Sequence, residues 1–222
     1  MGKKYELLKE DTIIICGIVL HRIKALQDFG NVKAGDLGGY IEKEDNLSHY
    51  GECWVYGNAK VYNNAKLYNN ALVSGNAKVN GNAEVSGNAM VYDIAWLSGN
   101  AKVSGDAKVY GNVWVHDNAR VYDNAQVFGN IEVYGYARLR NNAYIHSDDY
   151  ICIGPIGSRN EYTTFYLTED KNIMVSCGCF NGTLEEFIKA VNDTHKDNDK
   201  YRSEYLSAIE FVKIKLGYKG GN

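Results

Sequence analysis

The chain has 222 residues, 45% of them hydrophobic and 23% charged, with a net charge of −3. That length admits one elongated domain or a domain with a smaller companion; the composition excludes a disordered chain, and the near-neutral charge leaves no global footprint for nucleic acid. Pro occurs once while Gly (23), Asn (24) and Tyr (18) are heavily used, a bias that signals internal repetition.

Residues 1–36 read as a terminal segment. Its longest apolar run, residues 13–20, has 8 residues, and a membrane span needs roughly 18. Glu6, Glu10 and Asp11 precede the run and no small-residue cleavage site follows it, so it does not read as a signal peptide. A cytoplasmic location is expected. Five cysteines, an odd number without framework spacing, fit reduced thiols in that compartment.

Residues 53–148 divide into 16 hexads without an insertion; the third position is Val, Leu or Ile in all 16, the first is Ala in 13, and the sixth is Asn or Asp in 14. Apolar first and third positions alternating with polar or aromatic second and fourth ones describe a strand with one buried face. Gly-Asn, Asn-Asn and Asp-Asn pairs then turn the chain, because these residues tolerate left-handed backbone. An antiparallel meander has no reason to hold one phase so long, whereas a coil stacked on itself does. Ala suits the tight interior near a corner, Val fills the middle, and Asn at equivalent corners can form amide ladders. The phase continues upstream in weakened form through Leu37, Ile41, Asn46, Leu47, Gly51 and Cys53, so coils are expected over 37–148. Three hexads per coil predict about five coils in the regular part, a prism about 25 Å tall. Its open strand edges require covers, which residues 1–36 and 149–222 are expected to supply.

Residues 18 apart then stack on one face. The first face presents Trp54, Leu72 and Met90 outward, followed by Lys108, Gln126 and Tyr144. The second presents Lys60, Lys78, Trp96, Trp114 and Glu132 beside Tyr62, Asn80, Ser98, His116 and Tyr134. The third, with Lys66, Glu84, Lys102, Arg120, Arg138 and Arg140, is basic, which makes it a solvated face or a weak anion surface. Trp54, Leu72, Met90, Trp96 and Trp114 are costly to leave in water and are expected at an interface. Either the N-terminal segment covers them or a second subunit does, as a homo-oligomer, dimer or trimer.

From Asp149 the hexad stops. Residues 150–153, 162–167 and 173–176 read as short strands, the last two joined by a hairpin turn. Thr183 and Glu186 form a capping box ahead of Leu184, Phe187, Ile188 and Val191 at helical spacing; Tyr205, Ile209, Val212 and Leu216 mark a second helix. The 149–222 segment is therefore expected to be a small α+β module. In it, Gly157, Ser158, Arg159 and Asn160, with Thr163, combine free backbone, a hydroxyl and a guanidinium, a set suited to an anion or to a plain β-turn. Cys177 and Cys179 are expected on one side of a strand near that loop, as small buried residues or as functional thiols.

The aliphatic residue followed four positions later by a small one (Val55 and Ala59, Val61 and Ala65) resembles the hexapeptide repeat of left-handed parallel β-helix proteins. That resemblance implies an all-β solenoid of triangular section. The position after the aliphatic is Tyr or Ser where enzymes of this kind often carry Gly. The tandem Val-Tyr-Gly-Asn-Ala run, with Asp36-Leu37-Gly38-Gly39-Tyr40-Ile41 before it and Cys177-Gly178-Cys179-Phe180 after it, is similar to uncharacterised phage, prophage and gut-bacterial proteins, a resemblance that implies no activity.

Acyltransferases of the β-helix type present a catalytic His beside an inserted loop. His116 and His146, the histidines of the repeat, sit at outward positions without an insertion, and Asp117 is expected to point away from His116. Carbonic anhydrases on this fold hold zinc through His clusters, whereas these five histidines are at least 28 residues apart. No metal or cofactor is expected. The favoured function is a non-enzymatic scaffold, phage- or prophage-encoded, engaging a host protein or another partner through an aromatic face and the C-terminal module. Capture of an anionic metabolite or nucleotide signal ranks second and acyl transfer third; membrane and nucleic-acid partners are not expected.

Overall fold

A computed structural model describes residues 2–218. Residue 1 of the expected N-terminal cap and residues 219–222 of the expected C-terminal module lie outside the described residues. The chain opens with an antiparallel hairpin, β1 (Tyr5–Ile15) and β2 (Ile18–Ala25), whose turn places Cys16 and Gly17 at positive φ. Next, β3 (Leu37–Ile41) pairs antiparallel with β2 on one edge and parallel with the first repeats on the other. Sixteen two-residue strands follow at six-residue intervals, β4 (Trp54–Val55) through β19 (Tyr144–Ile145). The C-terminal module contributes β20 (Tyr150–Ile156), β21 (Glu161–Leu167), β22 (Ile173–Cys177), β23 (Phe180–Thr183), α1 (Leu184–Thr194) and α2 (Asp199–Lys215).

The short strands stack in three parallel sheets, each rung meeting the one 18 residues on, as in Val103 against Val121 and Leu97 against Val115. The result is a parallel β-solenoid of about six coils, the expected five plus one that begins at β3. In that first coil Ile41 meets Val61 and Leu47 meets Leu67 at a spacing of 20, because the segment after Leu47 carries two extra residues before Trp54 resumes the 18-residue register with Leu72. Ala59, Val61, Ala101 and Val103 are fully buried, as are nearly all their equivalents. Burying each Val is worth about 1.5 kcal/mol or more, so this repeated column is the main stabilising term of the prism.

Corners follow from the fifth and sixth positions of each hexad. In the first 15 hexads the fifth lies at positive φ, from Gly57 (61°) through Asn63 (59°) and Asp93 (60°) to Asn141 (53°), which explains its restriction there to Gly, Asn and Asp. At Gly81 a side chain is excluded for a second reason: a Cβ would stand 2.9 Å from the amide nitrogen of Gly99 in the next coil. At the sixth position the amide of Asn64 donates to Asn82 (3.2 Å), that of Asn82 to Asn100 (3.0 Å) and that of Asn100 to Asn118 (3.1 Å), a ladder along one corner.

Both ends are covered by the chain itself. Trp54, expected at an interface, is completely buried: Phe29 and Tyr5 meet its ring edge-on at 5.3 and 6.1 Å. The Tyr5 hydroxyl donates to the Leu47 carbonyl at 2.7 Å, and burial pushes the Tyr5 phenol above the usual tyrosine range. Lys4 is buried beside it and donates to the carbonyl and Sγ of Cys53 at 2.9 and 3.3 Å. At the other end, alternation within the module's antiparallel sheet sends Tyr166, Cys152 and Met174 onto the prism and Phe165, Val175 and Ile151 onto the helices. The hydroxyl of Thr164 accepts from the Arg138 amide at 3.0 Å, so the cap also satisfies an edge amide of the last coil.

The capping box at α1 forms as expected, with the Thr183 hydroxyl accepting from the Glu186 amide at 3.2 Å. The strand β23 was not legible, because Phe180-Asn181-Gly182-Thr183 lacks an alternating pattern and is held by pairing with β22. Cys177 and Cys179 therefore do not share one side of a strand. Cys177 ends β22 and is partly buried; Gly178 and Cys179 form the turn to β23, which leaves Cys179 exposed.

Two outcomes are expected. Val103→Asp places an unpaired charge in the column and abolishes soluble expression, measured as the soluble fraction against wild type. Trp54→Ala leaves a cavity beneath Tyr5 and Phe29 and costs about 3–5 kcal/mol in urea unfolding; an exposed or interface tryptophan would cost far less in a monomer.

Candidate functional site

The second face carries a column of stacked rings. Trp96 and Trp114 lie parallel with centroids 4.9 Å apart, the spacing that coil stacking imposes. Trp114 packs on His116 (4.2 Å), and His116 stacks on Tyr134 (5.8 Å). Each indole is fixed by a hydrogen bond to the preceding coil: Trp96 Nε1 donates to Asn80 Oδ1 and Trp114 Nε1 to Ser98 Oγ, both at 3.0 Å. The polar edges of the rings are thus occupied, leaving their apolar edges to line a surface.

That surface is a groove of about 650 Å³ lined by Lys78, Ile94, Trp96, Val113, Trp114 and Ile131. Through Asn130, Ile131 and Glu132 it continues into a second hollow of about 500 Å³, closed on the far side by Phe211 and Lys215 of α2. Ile94 (54% exposed), Tyr134 (55%) and Phe211 (55%) stand open to solvent along it. Sequence reading places the two tryptophans and Tyr134 on this face but misses Ile94, Val113, Ile131 and Phe211. A signal for three of them exists: Ile94 replaces the corner Asn or Asp, and Val113 and Ile131 replace the inner Ala. The other strong departures from the hexad serve the caps, Cys53 under Lys4 and Tyr136 stacked on Tyr162 at 4.5 Å.

His116 differs from expectation. Its Nδ1 lies 3.2 Å from the Asp117 carboxylate, so these neighbours face each other across the strand end instead of diverging. Hydrogen bonds from His116 and from the Gly135 amide hold the Asp117 carboxyl below the usual range. Nε2 is buried without a hydrogen-bond partner, enclosed among the stacked rings. A general base must reach its substrate, and this geometry turns one nitrogen to a carboxylate and covers the other.

Of the residues proposed for an anion, Arg159 is brought to Cys179 and Thr163 to Cys177, while the backbone of Gly157 is engaged by α2. Residues 157–160 form the turn between β20 and β21. The Gly157 amide already donates to the Glu204 carboxylate at 2.8 Å, which sets a negative charge where an anion would bind. Ser158, Arg159 and Asn160 are exposed, while Thr163 is buried behind them and donates to Cys177 Sγ at 3.1 Å. Arg159 Nη1 reaches Cys179 Sγ at 3.6 Å, so this guanidinium and the exposed thiol are brought together. Among the described residues no group of three His, Cys, Asp or Glu side chains is placed to hold a metal.

On the first face Leu72 is half-buried and Met90 is 38% exposed, beside a stack of Tyr92, Tyr110 and Phe128 at 4.8 and 5.1 Å. On the third, Lys102 meets Glu84 at 2.9 Å, which offsets part of the positive charge expected there. A further cleft of about 960 Å³ lies between the last coils and the module and is lined by polar side chains such as Gln126, Asn142 and Lys171 together with Ile173, Met174 and Leu216. No helix among the described residues is long and apolar enough to cross a membrane.

No family model matches the chain. Over 39 residues it is 44% identical to an uncharacterized acetyltransferase, YdcK, of Escherichia coli (strain K12), a stretch that is 18% of this chain and 12% of that protein.

Proposed function

We propose that this chain is a non-enzymatic β-solenoid scaffold that engages a protein partner through the Trp96–Trp114 groove and the α2 flank of its C-terminal module. One observation carries the reading. The repeat gives up its corner Asn or Asp at Ile94, which stands 54% exposed in the groove, while Val113 and Ile131 replace the inner Ala beneath it and stay packed on the core. Ile94 interrupts the corner column of Asn76, Asn112 and Asn130, forgoing the amide ladder that other corners keep. A sequence that breaks its own rule at a cost in folding energy marks a surface kept for another purpose. Aromatic residues held rigid by hydrogen bonds, as both indoles are, make strong anchors because little side-chain freedom is lost on binding. The tandem Val-Tyr-Gly-Asn-Ala pattern supports a phage or prophage origin and action in a bacterial cytoplasm.

Trp96→Ala combined with Trp114→Ala is expected to keep the fold, since both rings lie outside the Val and Ala column, and to lose the protein partner that tagged wild type captures in pull-down. Capture unchanged in that variant would refute the groove as the binding surface.

Acetyl transfer is the second reading, favoured by the likeness to YdcK and by the His116–Asp117 contact. The scaffold reading predicts no heat on titration with acetyl-coenzyme A and no change on His116→Ala. Measurable acetyl-coenzyme A binding with turnover lost in His116→Ala would establish the enzyme instead. Arg159→Ala tests anion capture in the same calorimeter: a nucleotide that binds wild type and is lost in this variant would favour that function, with an expected loss of about tenfold to a hundredfold in affinity.

A further inference from the structure

We infer that the partner the groove is built for is a second copy of this chain, packed face to face and antiparallel; the inference rests on reading the groove as an interaction surface. The outward column of the second face runs Lys60, Lys78, Trp96, Trp114, Glu132, each stacked on the next. A two-fold axis normal to this face and passing between Trp96 and Trp114 maps the column onto itself. It sets each Trp96 against the partner's Trp114 and each Lys78 against the partner's Glu132, twice over. The interface is isologous and closes at two copies.

Charge order selects the antiparallel arrangement. Side by side in parallel, the same faces would bring Lys78 against Lys78 and Glu132 against Glu132 at equal height, with Lys60 adding to the repulsion. Reversed, every charge next to the tryptophan pair meets its opposite. Among the described residues neither Lys78 nor Glu132 has an ion-pair partner within the chain, and both are exposed. Lys78 instead lies over the Trp96 ring, its Nζ 5.8 Å from the centroid, at the rim of the apolar surface the pairing would bury. An apolar centre with complementary charges outside it sets register and orientation at an interface.

The other faces lack this property. On the third, reversal about Lys102 sets Glu84 against Arg120 but opposes Lys102 to itself and Lys66 to Arg138, so its centre is a pair of like charges and not an apolar pair. On the first, Trp54 is already covered, and reversal between Met90 and Lys108 would set a cation against a thioether.

The test is the mass of the purified full chain by light scattering, with Lys78→Glu, Glu132→Lys and the double exchange. Wild type is expected at twice the chain mass of 24.8 kDa, and each single reversal is expected to weaken the dimer at least about tenfold. The double exchange restores it, because the opposed charges are again complementary across the two-fold. Within one chain the two positions are three coils apart, about 14 Å, too far for an internal pair to produce the rescue. Circular dichroism checks that these exposed substitutions leave the fold intact. A double exchange no better than either single overturns the antiparallel register. A monomeric wild type that still captures host protein through Trp96 and Trp114 overturns self-pairing and leaves the groove as an interaction surface, whereas a monomer with no tryptophan-dependent capture removes both.

Discussion

Every coil of the prism hydrogen-bonds to the next one and to little else. The amide of Lys78 donates to the Ala95 carbonyl and that of Asn80 to the Leu97 carbonyl, each at 2.9 Å, and the pattern recurs around the three sheets. No coil can satisfy its backbone alone, so stability is a property of the stack. Alternation adds the second half of the constraint: a slip by one residue would turn Val103 and its equivalents to solvent and bring Lys102 and its equivalents inside. Ends of the stack inherit the problem in concentrated form. Tyr5, Phe29 and buried Lys4 close one end, and Tyr166 with Thr164 closes the other.

Inner positions and corners being largely committed, most variation falls on the second and fourth residues of each hexad, and whatever stands there is stacked on the equivalent residue of the next coil, about one strand spacing away. The aromatic piles Trp96–Trp114 and Tyr92–Tyr110–Phe128 are products of that geometry. So are the juxtaposed cations Lys60 and Lys78, where burial and then the positive neighbour lower the Lys60 pKa, and the relief of charge where Glu84 meets Lys102. A column on a solenoid face is therefore a linear code that can be compared with its own reverse. Only a face whose charges are antisymmetric about an apolar centre gains by meeting itself head to tail, which is what sets the second face apart.

The same rigidity limits chemistry on these faces. His116 has a carboxylate at hand in Asp117, yet stacking between Trp114 and Tyr134 encloses the nitrogen that a substrate would need. In the module, the turn at residues 157–160 is drawn toward α2 by Glu204, and its arginine lies beside Cys179. Both arrangements satisfy local charge within the chain, whereas the groove leaves exposed apolar surface without an internal partner.

The hexad by itself determined the parallel stack, the buried Val and Ala, the amide ladders and the need for two caps, because period and phase are local properties that 16 repetitions make unambiguous. The capping box at Thr183 and the helices behind it were legible for the same reason. Only the tertiary structure decided that Trp54 is core while Trp96 and Trp114 are surface. The three tryptophans occupy the same hexad position, and what separates them is contact with Tyr5 and Phe29 from a distant segment. It also decided that α2 lends Phe211 to the end of the groove and that Glu204 takes the Gly157 amide. These pairings join segments of different period across long loops, so no repeat encodes them, and they are settled by which surfaces remain uncovered once the coils have stacked.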